Sequence, residues 1–300
     1  MDLIKSVYDI SEEFMNLQVP NRLHVNISEE KLLELSETMK EEGIVNFYSE
    51  EPQEVIKDED VELKIILREL IASSINYCYW YGHNDIRPMG ANSNSMYELV
   101  DAAMKITIFP DGVPTKHDLK EIVNCLIEML SINRYPLLEA RKRHLLEVAD
   151  NGYQFSKYLQ EGFAEDYNIF ERLVGDFQGF ASDIFLKRAS LFFIQLHRQL
   201  GWFGLLMKEL FVPADYQVPK MLTYFKVLSF SNQLQFKIRE SKLIEKGSLM
   251  ECQIRAATII ACKKLCDLTG WTIADIDTWL WTKRKLPKTE KFHLTRTSDY

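Results

Sequence analysis

Apolar residues recur at helical spacing through most of this chain, and alternating apolar–polar runs are almost absent. That periodicity calls for amphipathic helices and leaves little from which to build a sheet. Ser28 caps a stripe of Leu32, Leu35, Ser36 and Met39 that ends at Gly43. A second helix is read from Leu63 to about Trp80, with Ile65, Ile66, Leu70 and Ile71 at helical offsets. Further helices are expected at 96–107, 115–131, Pro136 to about Leu159, 166–175, 183–200, 217–228, 231–240, 249–268 and 272–283, followed by a polar tail. A helix within 1–22 gives way to a turn at Pro20-Asn21, and His24 to Ile27 reads as extended. Part of 44–60, all of 82–95 and Pro110-Asp111-Gly112 read as loop or turn. The expected fold is all-α, a multi-helix domain over 1–300 with few or no strands, divisible at most into 1–110 and 111–300.

Composition narrows the function classes. A chain of 300 residues with 46% hydrophobic and 27% charged residues can bury a sizeable core. Its net charge of −8 argues against direct nucleic-acid binding, which usually shows a basic face. The five cysteines, at 78, 125, 252, 262 and 266, form no CxxC and no disulfide framework, so free thiols are expected. Met1-Asp2-Leu3 lacks the start of a signal peptide and no apolar run reaches spanning length. A cytoplasmic, monomeric protein that avoids membranes is therefore expected. The six histidines are dispersed, and there is no Gly-rich phosphate loop and no GxSxG. Neither a metal nor an organic cofactor is called for.

Several charged or polar residues fall where apolar ones are expected. Asp215 lies in Phe211-Val212-Pro213-Ala214-Asp215-Tyr216-Gln217-Val218-Pro219, whose prolines stiffen the backbone. It can be a helix cap, or a carboxylate that apolar wrapping makes costly without a partner or a task. Lys187 shares a stripe with Ile184, Leu191 and Ile194, so it either snorkels to water or pairs with an anion such as Asp215 or a substrate phosphate. Glu251 and Arg255 stand one turn apart, and Arg255 aligns with Ile259 and Cys262. Asp277 aligns with Ile273, Leu280 and Trp281. The run Asn76-Tyr77-Cys78-Tyr79-Trp80-Tyr81 is either core or a stacking wall for a flat ligand. Glu139, Arg141, Lys142, Arg143 and His144 read mostly as a solvated face.

Six stretches in order carry a resemblance. They are Pro136-Leu137-Leu138-Glu139-Ala140-Arg141, Lys187-Arg188-Ala189, Ala214 to Pro219, Glu251-Cys252-Gln253-Ile254-Arg255, Asp277-Thr278-Trp279-Leu280-Trp281 and Phe292-His293. Asn76 to Trp80 adds to them. Together they resemble the queuosine salvage protein family, best from about Pro136 onward. Gln217, Gln253 and Ala256 depart from it, standing where the family usually has arginine, a second acid and glycine.

The resemblance implies a helical fold similar to helix-hairpin-helix DNA glycosylases. It implies cleavage of the N-glycosidic bond of queuosine 5′-monophosphate, releasing queuine. Asp215 would be the essential carboxylate and Lys187 its catalytic or phosphate-side partner. Asn76, Tyr77, Trp80, Tyr216, Glu251, Arg255, Asp277 and His293 would belong to the substrate pocket. The chemistry fits: cleaving such a bond develops positive charge on the ribose, which a fixed carboxylate stabilises. A terminal phosphate calls for cations, of which Lys187, Arg255 and Arg296 are candidates. A non-catalytic binder of a deazaguanine nucleotide, or a glycosylase for a related modified nucleoside, are the alternatives.

Overall fold

The computed structural model describes residues 2–17, 23–45, 59–106, 114–162, 168–287 and 290–300. These residues are mainly α, as the periodicity requires. In chain order they form α1 (Leu3–Met15), β1 (Val25–Ile27), α2 (Glu29–Glu42), α3 (Glu59–Ile75), α4 (Ser93–Ile106), α5 (Lys116–Ile132), α6 (Leu138–Gln160) and α7 (Ile169–Asp176). There follow α8 (Gln178–Ala181), α9 (Lys187–Leu200), α10 (Leu206–Glu209), α11 (Gln217–Tyr224), β2 (Leu228–Phe230), α12 (Asn232–Arg239), α13 (Leu249–Thr269) and α14 (Ile273–Thr282). The turns expected at Pro20-Asn21 and at Pro110-Asp111-Gly112 lie outside the described residues, as do 46–58 and 166–167.

Local chemistry sets many of the boundaries. Ser28 Oγ accepts the Lys31 amide at 3.3 Å, and Gly43 ends α2 at φ +78°. Thr115 with Asp118, and Thr272 with Asp275, close reciprocal capping boxes at the starts of α5 and α14. Gly270 ends α13 in the left-handed conformation that glycine adopts without strain.

α3 lies in the middle of the packing, against α4, α6 and α9, while α1 packs on α13. The interior between α6 and α9 is aromatic. Phe155, Phe177, Phe180, Phe192 and Phe193 pack in mostly edge-to-face pairs with centroids 5.2–6.4 Å apart. Burying each such ring contributes about 1.5–3 kcal/mol.

Five readings need correction. The α3 helix stops at Ile75 rather than near Trp80, because Cys78 takes φ +27° and its amide donates to Tyr300 O at 3.0 Å. Leaving the helix lets Tyr77, Tyr79 and Trp80 all bury, none more than 1% exposed. The helix expected from 183 begins at Lys187, so Ile184 is off the stripe and 51% exposed. The helix expected over 217–228 ends at Tyr224. Lys226 turns the chain at φ +61°, and Leu228–Phe230 pairs antiparallel with β1 in the register Val25–Phe230, Asn26–Ser229 and Ile27–Leu228. The solvated face of α6 is broken by Arg141 and His144, which are buried. Finally, the polar tail is largely core: Leu294, Thr295, Thr297, Asp299 and Tyr300 are buried, and Ile244 donates to Leu294 O at 2.7 Å.

Candidate active site

The end of α3 and the starts of α9 and α11 converge on an open cavity of about 640 Å³, bordered also by residues of α4 and α14 and by Tyr300. Asp215 lines it and is half-buried. Its Oδ1 accepts the amides of Gln217 at 2.7 Å and Val218 at 3.2 Å, so the carboxylate does cap α11. Phe211 and Val212 are fully buried behind it. Burial raises the Asp215 pKa above the ordinary carboxylate value. Lys187 and the two amides oppose that shift, while Asp277 adds to it.

Lys187 is the first residue of α9 and is only 3% exposed, so it does not snorkel. Its Nζ donates to Asn76 O at 3.0 Å, across 111 residues of sequence. Burial brings its pKa from 10.5 down to about 8, and Arg188 and Arg255 push the same way. Asp215 and Asp183 pull it back up. Cation and carboxylate are thus electrostatic neighbours at one wall of the cavity.

The aromatic run divides. Tyr77 and Tyr79 line the cavity, and Trp80 does not. Trp80 sits behind Tyr216, edge-on at 5.0 Å, and Tyr216 itself lines the cavity. Asn76 is at the wall with its amide already engaged: Nδ2 donates to Ser93 Oγ at 3.0 Å and Oδ1 accepts from Tyr79 OH at 2.7 Å. Arg141 holds this segment in its non-helical form by donating to the carbonyls of Tyr77, Cys78 and Pro136.

Asp277 lines the cavity and accepts from Arg198 Nη2 at 2.8 Å. Glu251, Arg255 and His293 lie outside the cavity wall. Arg255 forms a two-pronged ion pair with Asp183 at 2.6 and 2.8 Å, and Glu251 is a longer neighbour at 3.5 Å. Asp183 is buried, which would raise its pKa, but Arg255 and the amides of Lys187 and Phe185 hold it low. His293 faces Tyr300 OH at 3.2 Å, and burial, with Arg255, lowers its pKa to about 3. Arg296 is exposed and away from the cavity.

The cavity brings in residues that sequence reasoning missed, chiefly Arg68, Arg87, Gln195, Arg198 and Arg284. Gln195 and Arg198 were findable. They follow Lys187 at offsets of eight and eleven, and Leu191 at four and seven, on the same face of α9. Asp183 gave no periodic signal, because it precedes the helix it caps. Of the departures from the family pattern, Gln217 lines the cavity. Gln253 instead accepts the His24 amide at 2.8 Å and donates to Phe14 O at 3.2 Å, tying the N-terminal segment to α13. Among the described residues no cluster of three or more His, Cys, Asp or Glu is placed to hold a metal ion. No described helix is long and apolar enough to cross a membrane.

Comparison with known proteins bears on this site. A protein of Dictyostelium discoideum named queuosine 5′-phosphate N-glycosylase/hydrolase is 34% identical over 131 residues. That alignment covers 39% of this chain and 40% of the relative, so it spans well under half of either protein. The model of the family described as queuosine salvage protein matches residues 66–300, which include every residue placed at the cavity above. The chain belongs to the queuosine salvage protein family.

Proposed function

We propose that this protein is a hydrolase that cleaves the N-glycosidic bond of queuosine 5′-phosphate, giving queuine and ribose 5-phosphate. The observation that carries the reading is the Asp215–Lys187 pair: a carboxylate open to the cavity beside a buried lysine, both with pKa values moved toward neutrality. Ionised Asp215 faces the developing positive charge on C1′ and stabilises it. It also accepts a proton from the attacking water. The water oxygen bonds to C1′ as the C1′–N9 bond breaks, and the base leaves with the bonding pair and takes up a proton. A 7-deazaguanine has no N7 to protonate, so leaving-group assistance comes from hydrogen bonds at its other edges. Tyr77 and Tyr79 stand at the wall where the base would lie, with their rings packed by Arg141, so they shape that wall rather than stack on the base. Lys187 keeps Asp215 ionised and supplies positive charge for the 5′-phosphate.

The test is mass spectrometry of the purified protein incubated with queuosine 5′-phosphate and, separately, with unphosphorylated queuosine. Queuine release from the phosphate, lost in Asp215→Asn, is the expected result. The asparagine keeps an oxygen to accept the Gln217 and Val218 amides, so the variant is expected to fold. Near-native release by Asp215→Asn removes that residue from the mechanism. Binding without release from either compound supports a non-catalytic deazaguanine-nucleotide binder instead.

A further inference from the structure

The Asp215 loop and the start of α9 come from distant parts of the sequence and meet at one side chain. Arg255, on α13, donates Nε to Ala214 O at 3.0 Å. Its two Nη groups donate to Asp183 Oδ1 at 2.8 Å and Oδ2 at 2.6 Å. Asp183 in turn accepts the Phe185 amide at 3.0 Å and the Lys187 amide at 2.9 Å. A path of hydrogen bonds therefore runs from the residue before Asp215 to the backbone of Lys187, through one planar guanidinium. Arg255 and Asp183 are each 1% exposed, and neither lines the cavity. The guanidinium is held between the rings of Phe185 and Tyr300, at 4.6 and 4.3 Å.

The local backbone requires such a restraint. Leu186, between Asp183 and Lys187, takes φ +45°, which is strained for a branched residue and persists only where the surroundings fix it. Asp183 holds the amides on both sides of Leu186, and Arg255 holds Asp183.

We propose that Arg255 and Asp183 are positioning residues that set the Asp215 loop and the Lys187 helix start relative to each other without touching substrate. This rests on reading Asp215 and Lys187 as the catalytic pair. Lysine at 255 would keep the charge but lose the fork that engages Ala214 and both oxygens of Asp183 together. A misplacement of about 1 Å in such a pair lowers turnover by about 10²-fold.

The experiment uses the full chain carrying Arg255→Lys, with Asp183→Asn as a second variant should the first fail to fold. Three measurements are made: steady-state kinetics giving kcat and KM for queuosine 5′-phosphate, the Kd of the same compound in an Asp215→Asn background, and backbone hydrogen exchange. The expected result is a kcat lower by about 10²-fold with KM and Kd unchanged. Exchange is expected to quicken in both 183–188 and 213–218 while α3 and α5 keep their protection. Wild-type kcat overturns the proposal, and so does a Kd weakened in step with activity, which would make Arg255 a substrate contact. Absence of base release by the wild-type protein defeats the glycosylase reading separately. Exchange then decides alone: coupled loosening of the two segments upholds the brace, and an unchanged rate in either one overturns it.

Discussion

Lys187 carries a positive charge that the fold disfavours, and pH is the perturbation that exposes this. Burial is the main cause, and it lowers the pKa from 10.5 to about 8. The folded state therefore binds fewer protons than the unfolded state between those values. Stability tracks the protons bound by the unfolded state in excess, so this contribution makes the protein more stable as pH rises through the window. Linkage with these two pKa values gives a gain of about 2 kcal/mol between about pH 7 and about pH 9.5. The range lies above the ordinary carboxylate titrations and below the ordinary tyrosine value. Urea unfolding of wild type and Lys187→Met at each pH isolates the effect, since other titrating groups largely cancel in the difference. Wild type should gain about 2 kcal/mol relative to the variant across the range. In the same preparation the rate of base release should fall on the alkaline side with a midpoint near pH 8, as Lys187 loses its proton. A stability difference that does not change with pH would refute the claim that Lys187 is buried as described.

Three further outcomes are expected. Arg198→Met leaves Asp277 uncompensated at 6% exposure and removes the donors to Thr278 Oγ1, so it should lower unfolding free energy by about 3–5 kcal/mol in urea titration; a change below about 1 kcal/mol would show the pair to be solvated. Phe193→Ala removes a buried ring packed against Phe170, Phe192 and Phe203 at 5.6, 5.2 and 5.0 Å, and should cost about 3–5 kcal/mol by the same assay. Half-buried Cys125 should react with a thiol reagent before Cys252, whose pKa is pushed up to about 12 by burial and Glu251; peptide mapping that finds Cys252 modified first in native protein would contradict the packing around α13.

Helices were legible where one face meets the core and a local cap marks the end. Ser28 to Gly43 is the plainest case, since the cap, the stripe and the terminating glycine agree. The misreadings fall where tertiary contacts override local period. Residues 76–80 continue an apolar pattern that would extend α3, yet Arg141, 64 residues on from Tyr77, takes the carbonyls of Tyr77 and Cys78 and Lys187 takes that of Asn76, which keeps the segment out of the helix. β2 has three residues, too few to show an alternation, and it is strand only because β1 lies beside it. The buried C-terminal segment looks polar because Thr297, Asp299 and Tyr300 find partners within the protein: Thr297 Oγ1 accepts the Asp299 amide, Asp299 Oδ1 accepts from Lys246, and Tyr300 OH faces His293.

The site itself was half legible for a related reason. An acid or lysine on an apolar stripe announces that a charge is inward, and Asp215, Lys187, Arg255 and Asp277 all announced it. The stripe does not announce what the charge meets. Arg255 looked like a pocket residue paired with Glu251 one turn away, but its shorter bonds go to Asp183, 72 residues distant, which lies on no helical face. The pair with Asp183 prevails because it makes two short charge-assisted bonds, at 2.8 and 2.6 Å, against one contact of 3.5 Å to Glu251. Arg255 therefore points away from the cavity and toward the backbone beside Asp215 and Lys187. Its burial and its distance from the cavity are then two consequences of one geometry, and a charge found inward in this fold has to be assigned by what it bonds before it is assigned to chemistry.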